Sequence, residues 1–204
     1  MLALVDYGMG NLGSVDKALR YVGCQVQTTS DPHLIQQAAG IVLPGVGAFD
    51  DCMKAFHKSA LVVPLQQLIA EGKPFLGICL GLQVLFERSE EGQHPGLGII
   101  PGQIVRFKHD LKIPHIGWNQ IQVRRLAPCL DGIGEDSWFY FVHSYYVAPV
   151  DDDVVATTTD YGHDFCSAIW SDNIFACQFH PEKSQSAGLR LLDNFRQMAE
   201  GSRC

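Results

Sequence analysis

Three short stretches of this sequence carry residue types that could act together chemically. Cys79 lies in Gly77-Ile78-Cys79-Leu80-Gly81, the G-x-S-x-G nucleophile-elbow pattern with cysteine in place of serine. Glycines on both sides allow a tight strand-to-helix turn that projects the thiol. A sulfur at a helix start meets unpaired N–H groups and the positive end of the dipole, which favour thiolate. His180 and Glu182 lie two apart in His180-Pro181-Glu182; in an extended segment they project from one side. A base whose second ring nitrogen is held by a carboxylate is the orienting half of a catalytic triad. The third stretch, Pro44-Gly45-Val46-Gly47, offers backbone amides for an oxyanion hole. Leu80, after the nucleophile, would give one donor, and Val46 or Gly47 the other. Taken singly, each stretch has a plain alternative: a core cysteine, a surface His-x-Glu, a turn. Each also ends a predicted strand, and that makes the set coherent.

The elements that must position these groups follow from apolar patterning. Leu2–Val5, Val26–Thr29, Ile41–Leu43 and Phe75–Ile78 read as buried strands. Asn11–Val22, Asp51–Gly72 with a break at Pro64, and Leu80–Glu87 read as helices. Asp31-Pro32 reads as loop. If the buried strands run parallel, the loop after Leu43 and Cys79 share the carboxyl edge of the sheet. Beyond Gly96 short strand-like runs alternate with turn residues: Ile104–Phe107, Ile121–Val123, Trp138–Val142, Val154–Thr158, Phe165–Ile169 and Ile174–Gln178. They read as hairpins extending the sheet. The last strand is expected to end at His180, with Ser184 capping a final helix. The fold class is therefore α/β: a mostly parallel central sheet flanked by helices, with added antiparallel strands in the second half. No repeat or low-complexity linker divides the chain, so residues 1–204 read as a single domain.

Composition narrows the function classes. The chain has 204 residues, a formal charge of -7 and no Lys/Arg-rich run, which argues against a nucleic-acid surface. No apolar stretch reaches membrane-spanning length, and the N-terminus lacks a basic leader. Seven cysteines, at 24, 52, 79, 129, 166, 177 and 204, never fall in C-x-x-C spacing. That argues against a disulfide framework or a structural zinc site and for a reducing, cytoplasmic setting. Most read as small core hydrophobes. No metal site or cofactor is expected.

One motif competes. Gly8, Gly10 and Gly13 spell G-x-G-x-x-G between a strand and a helix, the dinucleotide fingerprint. Asp6 would set a carboxylate against an incoming pyrophosphate, and Asp31 precedes a proline rather than ending a strand. A tight turn is the better account.

The motif set G-I-C-L-G at 77–81, P-G-V-G at 44–47 and H-P-E at 180–182 resembles the class I (triad-type) glutamine amidotransferases. Adding D-Y-G-M-G-N at 6–11, I-G-W-N at 116–119, F-V-H-S-Y at 141–145 and H-P-E-K-S at 180–184, the pattern is similar to the glutaminase subunits of imidazole glycerol phosphate synthases, over essentially the whole chain. The resemblance implies that Cys79 attacks the glutamine amide, with His180 as base and Glu182 orienting it, through a glutamyl thioester. It implies Val46 and Leu80 as oxyanion donors and Gly45, Gln83, Glu91, His143, Ser144 and Tyr145 as glutamine-pocket residues. It further implies a heterodimer with a (β/α)8-barrel cyclase that uses the ammonia to make imidazole glycerol phosphate and the aminoimidazole carboxamide ribonucleotide in histidine biosynthesis. Asn11, Trp118, Tyr140 and Lys183 match its docking face. Anthranilate and aminodeoxychorismate synthase glutaminases, the nearest alternative, usually resemble S-P-G-P-G at the oxyanion loop, where this chain has Leu43-Pro44-Gly45-Val46-Gly47. A non-catalytic docking subunit of the same fold is a further alternative, against which the intact triad argues.

Overall fold

In the computed structural model, residues 1–134 and 137–201 are described; Cys204 lies outside them. The first half alternates strand and helix: β1 (Leu2–Val5), α1 (Leu12–Tyr21), β2 (Val26–Thr29), α2 (Pro32–Gln37), β3 (Gly40–Gly45), α3 (Phe49–Ser59), α4 (Val62–Ala70), β4 (Phe75–Cys79) and the single turn α5 (Leu80–Gln83). The second half supplies β5 (Arg88–Ser89), β6 (Gly102–Arg106), β7 (His115–Gln120), β8 (Gln122–Val123), β9 (Trp138–His143), β10 (Tyr145–Pro149), β11 (Val155–Asp160), β12 (Asp164–Ser171), β13 (Ile174–Cys177) and α6 (Gln185–Ala199).

The main sheet runs β2-β1-β3-β4-β13-β12-β10-β6-β5, with β11 and β8 continuing beside β12. From β2 through β13 every pair is parallel; β13–β12, β12–β10, β10–β6 and β12–β11 are antiparallel. This bears out the expected α/β architecture. Of these parallel strands β1, β3, β4 and β13 are buried throughout, as continuous apolar runs require, while the edge strand β2 exposes Gln27 and Thr28. Ala3, Val5, Ile41 and Leu43 pack toward α2, α3 and α4, while Leu2, Leu4 and Val42 pack toward α1 and α6. Pairing β4 between β3 and β13 sets Gly45 beside Cys79 and Cys177 beside Ile78. The ends of three strands thus meet at one edge.

Several local expectations are corrected. Helix Leu80–Glu87 stops after one turn, because the Val84, Leu85 and Phe86 carbonyls accept from the amides of Leu97 to Ile100 instead of continuing the helix. The loop expected at Asp31-Pro32 is the start of α2; Asp31 accepts from the His33 amide and Pro32 occupies the first turn, a favourable cap pair. The 51–72 helix breaks at Ala60, which is left-handed (φ 56°), rather than at Pro64. Pro64 sits in the first turn of α4, where a missing N–H costs nothing. Ser184 does not cap α6 through its side chain: its hydroxyl donates to His180 O at 2.6 Å and accepts from Tyr140 N at 3.0 Å. The last strand stops at Cys177, and Pro181–Lys183 is a 3-10 turn.

The largest correction concerns β7 and β9, which form their own antiparallel pair rather than extending the main sheet. Of the expected Ile121–Val123 strand only Gln122–Val123 remains, whereas His115–Gln120 is a full strand. Its pattern is inverted: His115 is buried while Ile116 and Trp118 are exposed. Trp118 lies opposite Tyr140 and Gln120 opposite Trp138, so exposed aromatics gather on one outer face.

Candidate active site

The nucleophile elbow is a backbone device. Cys79 has φ 57° and ψ −107°, outside ordinary conformations for a non-glycine residue. Such strain persists only where the surroundings over-determine it. Here they do: a Cβ on Gly81 would run into the Leu43 carbonyl, and one on Gly77 would lie 2.5 Å from Gly81 O. Only glycine lets α5 pass this close to β3 and β4. Gly45 is similarly tight, since its Cβ would lie 2.6 Å from Leu80 Cβ and 2.8 Å from the Tyr7 hydroxyl.

Tyr7, which the sequence did not single out, lies beneath that loop. It is buried, donates to Pro44 O at 3.0 Å and accepts from the Cys52 thiol at 3.4 Å. Burial, with the neighbouring Cys52, pushes its phenol far above the usual range, so it stays neutral and a donor. The Gly8–Asn11 segment is a bend with Gly8 and Gly10 at positive φ (89° and 111°), and Asp6 accepts from Gly8 N at 2.9 Å.

His180 approaches from the other side. Its Nδ1 lies 2.8 Å from Glu182 Oε1, with the two side chains 2% and 1% exposed. The pair forms through the 3-10 turn, which brings i and i+2 together where an extended segment was expected. Burial opposes a charged imidazole, but the Cys79 sulfur and the Glu182 carboxylate outweigh it and lift the His180 pKa to about 10. Nε2 makes no hydrogen bond of good geometry and is the ring atom left for the sulfur. Catalytic hydrogen bonds are commonly loose before substrate arrives.

A cavity of about 280 Å³ opens over the sulfur, lined by Val46, Gly47, Cys79, Leu80, Gln83, Glu91, Pro114, Val142, His143, Ser144, Tyr145 and His180. It gathers every pocket and oxyanion residue expected from sequence except Gly45, which backs Leu80, and Glu182 stands behind His180. Glu91 Oε2 accepts from Phe49 N at 2.9 Å, tying the cavity to the end of the oxyanion loop. Burial raises its pKa, against that hydrogen bond.

The rest of the site is a hydrogen-bonded chain, and its directions can be assigned. Tyr145 O can only accept, so His143 Nδ1 donates to it at 2.8 Å. His143 Nε2 is then an acceptor and takes the proton of His115 Nδ1 at 3.1 Å. His115 Nε2 in turn accepts from Asn119 Nδ2 at 3.3 Å. Burial drives the His143 pKa down to about 3 and, with His109, that of His115 to about 4, so both rings are neutral. Neither His115 nor Asn119 was singled out from the sequence as a functional side chain; the residue spacing carried no signal for a pairing across two strands.

Of the expected partner-face residues, Trp118 and Tyr140 meet edge to face at 6.1 Å, and Lys183 Nζ lies 5.6 Å from the Tyr140 ring centre. Asn11 is the N-cap of α1, accepting from Ser14 N at 3.4 Å; α1 packs against the 181–183 turn. Among the described residues no group of three or more potential metal ligands occurs, and no helix is long and apolar enough to cross a membrane.

A cysteine elbow, a carboxylate-held histidine and a glycine-walled loop around one cavity are the arrangement of an acyl-transfer enzyme with a thiol nucleophile. The chain belongs to the class-I glutamine amidotransferase family, whose model matches residues 3–198. Among curated proteins it is 54% identical to imidazole glycerol phosphate synthase subunit HisH of Syntrophotalea carbinolica, over 97% of this chain and 100% of that one. It is 53% identical to the subunit of the same name from Aquifex aeolicus, over 97% and 96%. In fold it is similar to the solved PurLQS structure from Thermotoga maritima, with a TM-score of 0.77 at 17% identity, over 97% of each chain.

Proposed function

We propose that this chain is the glutaminase subunit of an imidazole glycerol phosphate synthase. It hydrolyses L-glutamine to glutamate and ammonia and hands the ammonia on for histidine biosynthesis. The observation that carries the reading is the convergence of Cys79 and a Glu182-held His180 on one amino-acid-sized cavity, in a chain with full-length relatives of that name. The Cys79 thiolate adds to the side-chain carbonyl of glutamine, and the charge moves to oxygen, where the Val46 and Leu80 amides receive it. His180, protonated and oriented by Glu182, gives its proton to the departing nitrogen, and ammonia leaves. Neutral His180 then draws a proton from water, which attacks the thioester; glutamate departs and the thiolate returns. Gly45, Gln83, Glu91, His143, Ser144 and Tyr145 bind the substrate, Glu91 reaching its amine.

The ammonia acceptor lies in a (β/α)8-barrel cyclase subunit, docked on the face that carries Asn11, Trp118, Tyr140 and Lys183. The buried thiols at 24, 52, 79, 129, 166 and 177 favour a reducing, cytoplasmic setting. Residues 1–204 act as one domain.

The test is glutamate release by the purified chain, alone and with a barrel cyclase and its nucleotide substrate. Turnover that is weak alone and rises strongly in the complex supports the reading. Turnover that ignores the cyclase points to another acceptor. In Cys79→Ala turnover is expected to fall at least about 10⁴-fold, as nucleophile loss typically does; wild-type rates in that variant overturn the thioester. Trp118→Ala should weaken the complex about tenfold while the free chain's turnover holds.

A further inference from the structure

We propose that Gln178 is a further catalytic residue, a buried donor whose side-chain amide holds the Cys79 sulfur in its unprotonated, attacking form. The proposal rests on Cys79 being the nucleophile. Gln178 is fully buried, and its Nε2 donates to Cys79 Sγ at 3.6 Å. A glutamine with no exposure is uncommon unless its amide is engaged on both sides. This one is: Oε1 accepts from Gln83 Nε2 at 3.0 Å while Nε2 faces the sulfur, and the main-chain N–H separately donates to Ser167 O at 2.8 Å.

The orientation of the donor is forced from outside. Gln83 Nε2 also donates to Tyr145 O at 3.2 Å, the carbonyl already taken by His143. A backbone carbonyl cannot donate, so a flipped Gln83 would set its oxygen against two acceptors. A flipped Gln178 would set its NH₂ against that of Gln83 and its oxygen against the sulfur. One carbonyl therefore fixes Gln83, Gln83 fixes Gln178, and Gln178 presents N–H to the nucleophile. Both amide hydrogens of Gln83 are used within the protein, which leaves its Oε1 as the atom it can offer to the cavity.

A donor aimed at sulfur favours the charged form over the thiol. That serves two moments of the reaction. It raises the fraction of sulfur ready to add to the amide carbonyl. Later, when water has added to the thioester and the carbon–sulfur bond breaks, sulfur leaves as thiolate toward the same donor. Through both, His180 remains free to handle the proton of the leaving nitrogen and of water.

The test follows alkylation of Cys79 by iodoacetamide against pH in the full chain, read by mass spectrometry of the Cys79 peptide, with Cys79→Ala as the blank. In Gln178→Met, which keeps length and removes the donor, the half-maximal pH should rise by about one unit, the size of shift a hydrogen bond to a charged group supports. In Gln178→Glu, where an acceptor faces the sulfur, the rise should be at least as large. Turnover should fall in kcat with KM nearly unchanged. Folded variants whose alkylation midpoint stays at the wild-type value overturn the proposal, because a filler of space would not set that midpoint. If neither variant folds, the side-chain amide proton of Gln178 in ¹⁵N-glutamine-labelled wild-type protein decides. It should shift with the same midpoint as alkylation and lose that response in Cys79→Ala; a resonance blind to pH overturns the role. The alkylation midpoint and the amide resonance need no glutamine, so failure of the glutaminase reading shows separately.

Discussion

The two sides of Cys79 are built on different principles. Toward β3, Cys79 is located by close packing of glycines: Gly81 against the Leu43 carbonyl, Gly45 against Leu80 and Tyr7. Toward β13 and β10, the site is located by polar side chains joined in order, from Asn119 through His115 and His143 to Tyr145 O, and from there through Gln83 to Gln178. The first side tolerates no added atom. The second tolerates no change of donor into acceptor. A site that must both hold a strained cysteine and set the position of its protons uses steric exclusion for the first task and hydrogen-bond direction for the second.

The comparison breaks most easily on the packed side. Gly81→Ala should cost at least about 3 kcal/mol or prevent folding, because the clash is with backbone and cannot be relieved by a rotamer; a denaturant midpoint near wild type would mean that β3 and α5 are less tightly apposed. On the hydrogen-bonded side the expected effect is smaller. His115→Phe keeps the ring between Phe141 and Tyr161, stacked at 4.9 and 4.0 Å, but strips His143 Nε2 of its donor. A cost of about 1–3 kcal/mol is expected for that orphaned acceptor, measured by urea unfolding. No loss would show that the order of donors carries no energy.

The histidines of the site should also differ in pH dependence. His115 and His143 have folded pKa values of about 4 and about 3, below the ordinary value of 6.5. The unfolded chain therefore binds more protons in acid. Their contribution is fully present above about pH 6.5 and is lost as pH falls through 4 and 3. His180, lifted to about 10, has the opposite sign: its contribution is fully present below about 6.5 and is lost as pH rises through 10. Melting temperatures across pH should decline on both limbs. His115→Phe should flatten the acid limb and Glu182→Gln the alkaline one; unchanged limbs would remove the histidines as their cause.

The smallest effect concerns a glycine outside the packed set. A Cβ on Gly13 would meet nothing within 4 Å, and the residue lies in α1. Gly13→Ala should be neutral or stabilising by up to about 1 kcal/mol. A dinucleotide fingerprint would need that glycine for helix–strand packing, so a loss of stability would reopen that reading.

Taken alone, the sequence determined the alternation of elements, the buried parallel core and the cysteine elbow, because apolar runs, glycines and prolines act locally on the backbone. His180 and Glu182 were legible for the same reason, although the turn joining them was not. The Asp31-Pro32 cap pair at the start of α2 is a local signal of the same kind. The end of α5, the separate β7–β9 pair, and the roles of Tyr7, His115 and Asn119 were decided by tertiary structure. So was the link from Gln178 to the sulfur, across 99 residues of chain. Each depends on which carbonyl or ring nitrogen a side chain meets, and a hydrogen bond has no meaning until both partners have a place in space.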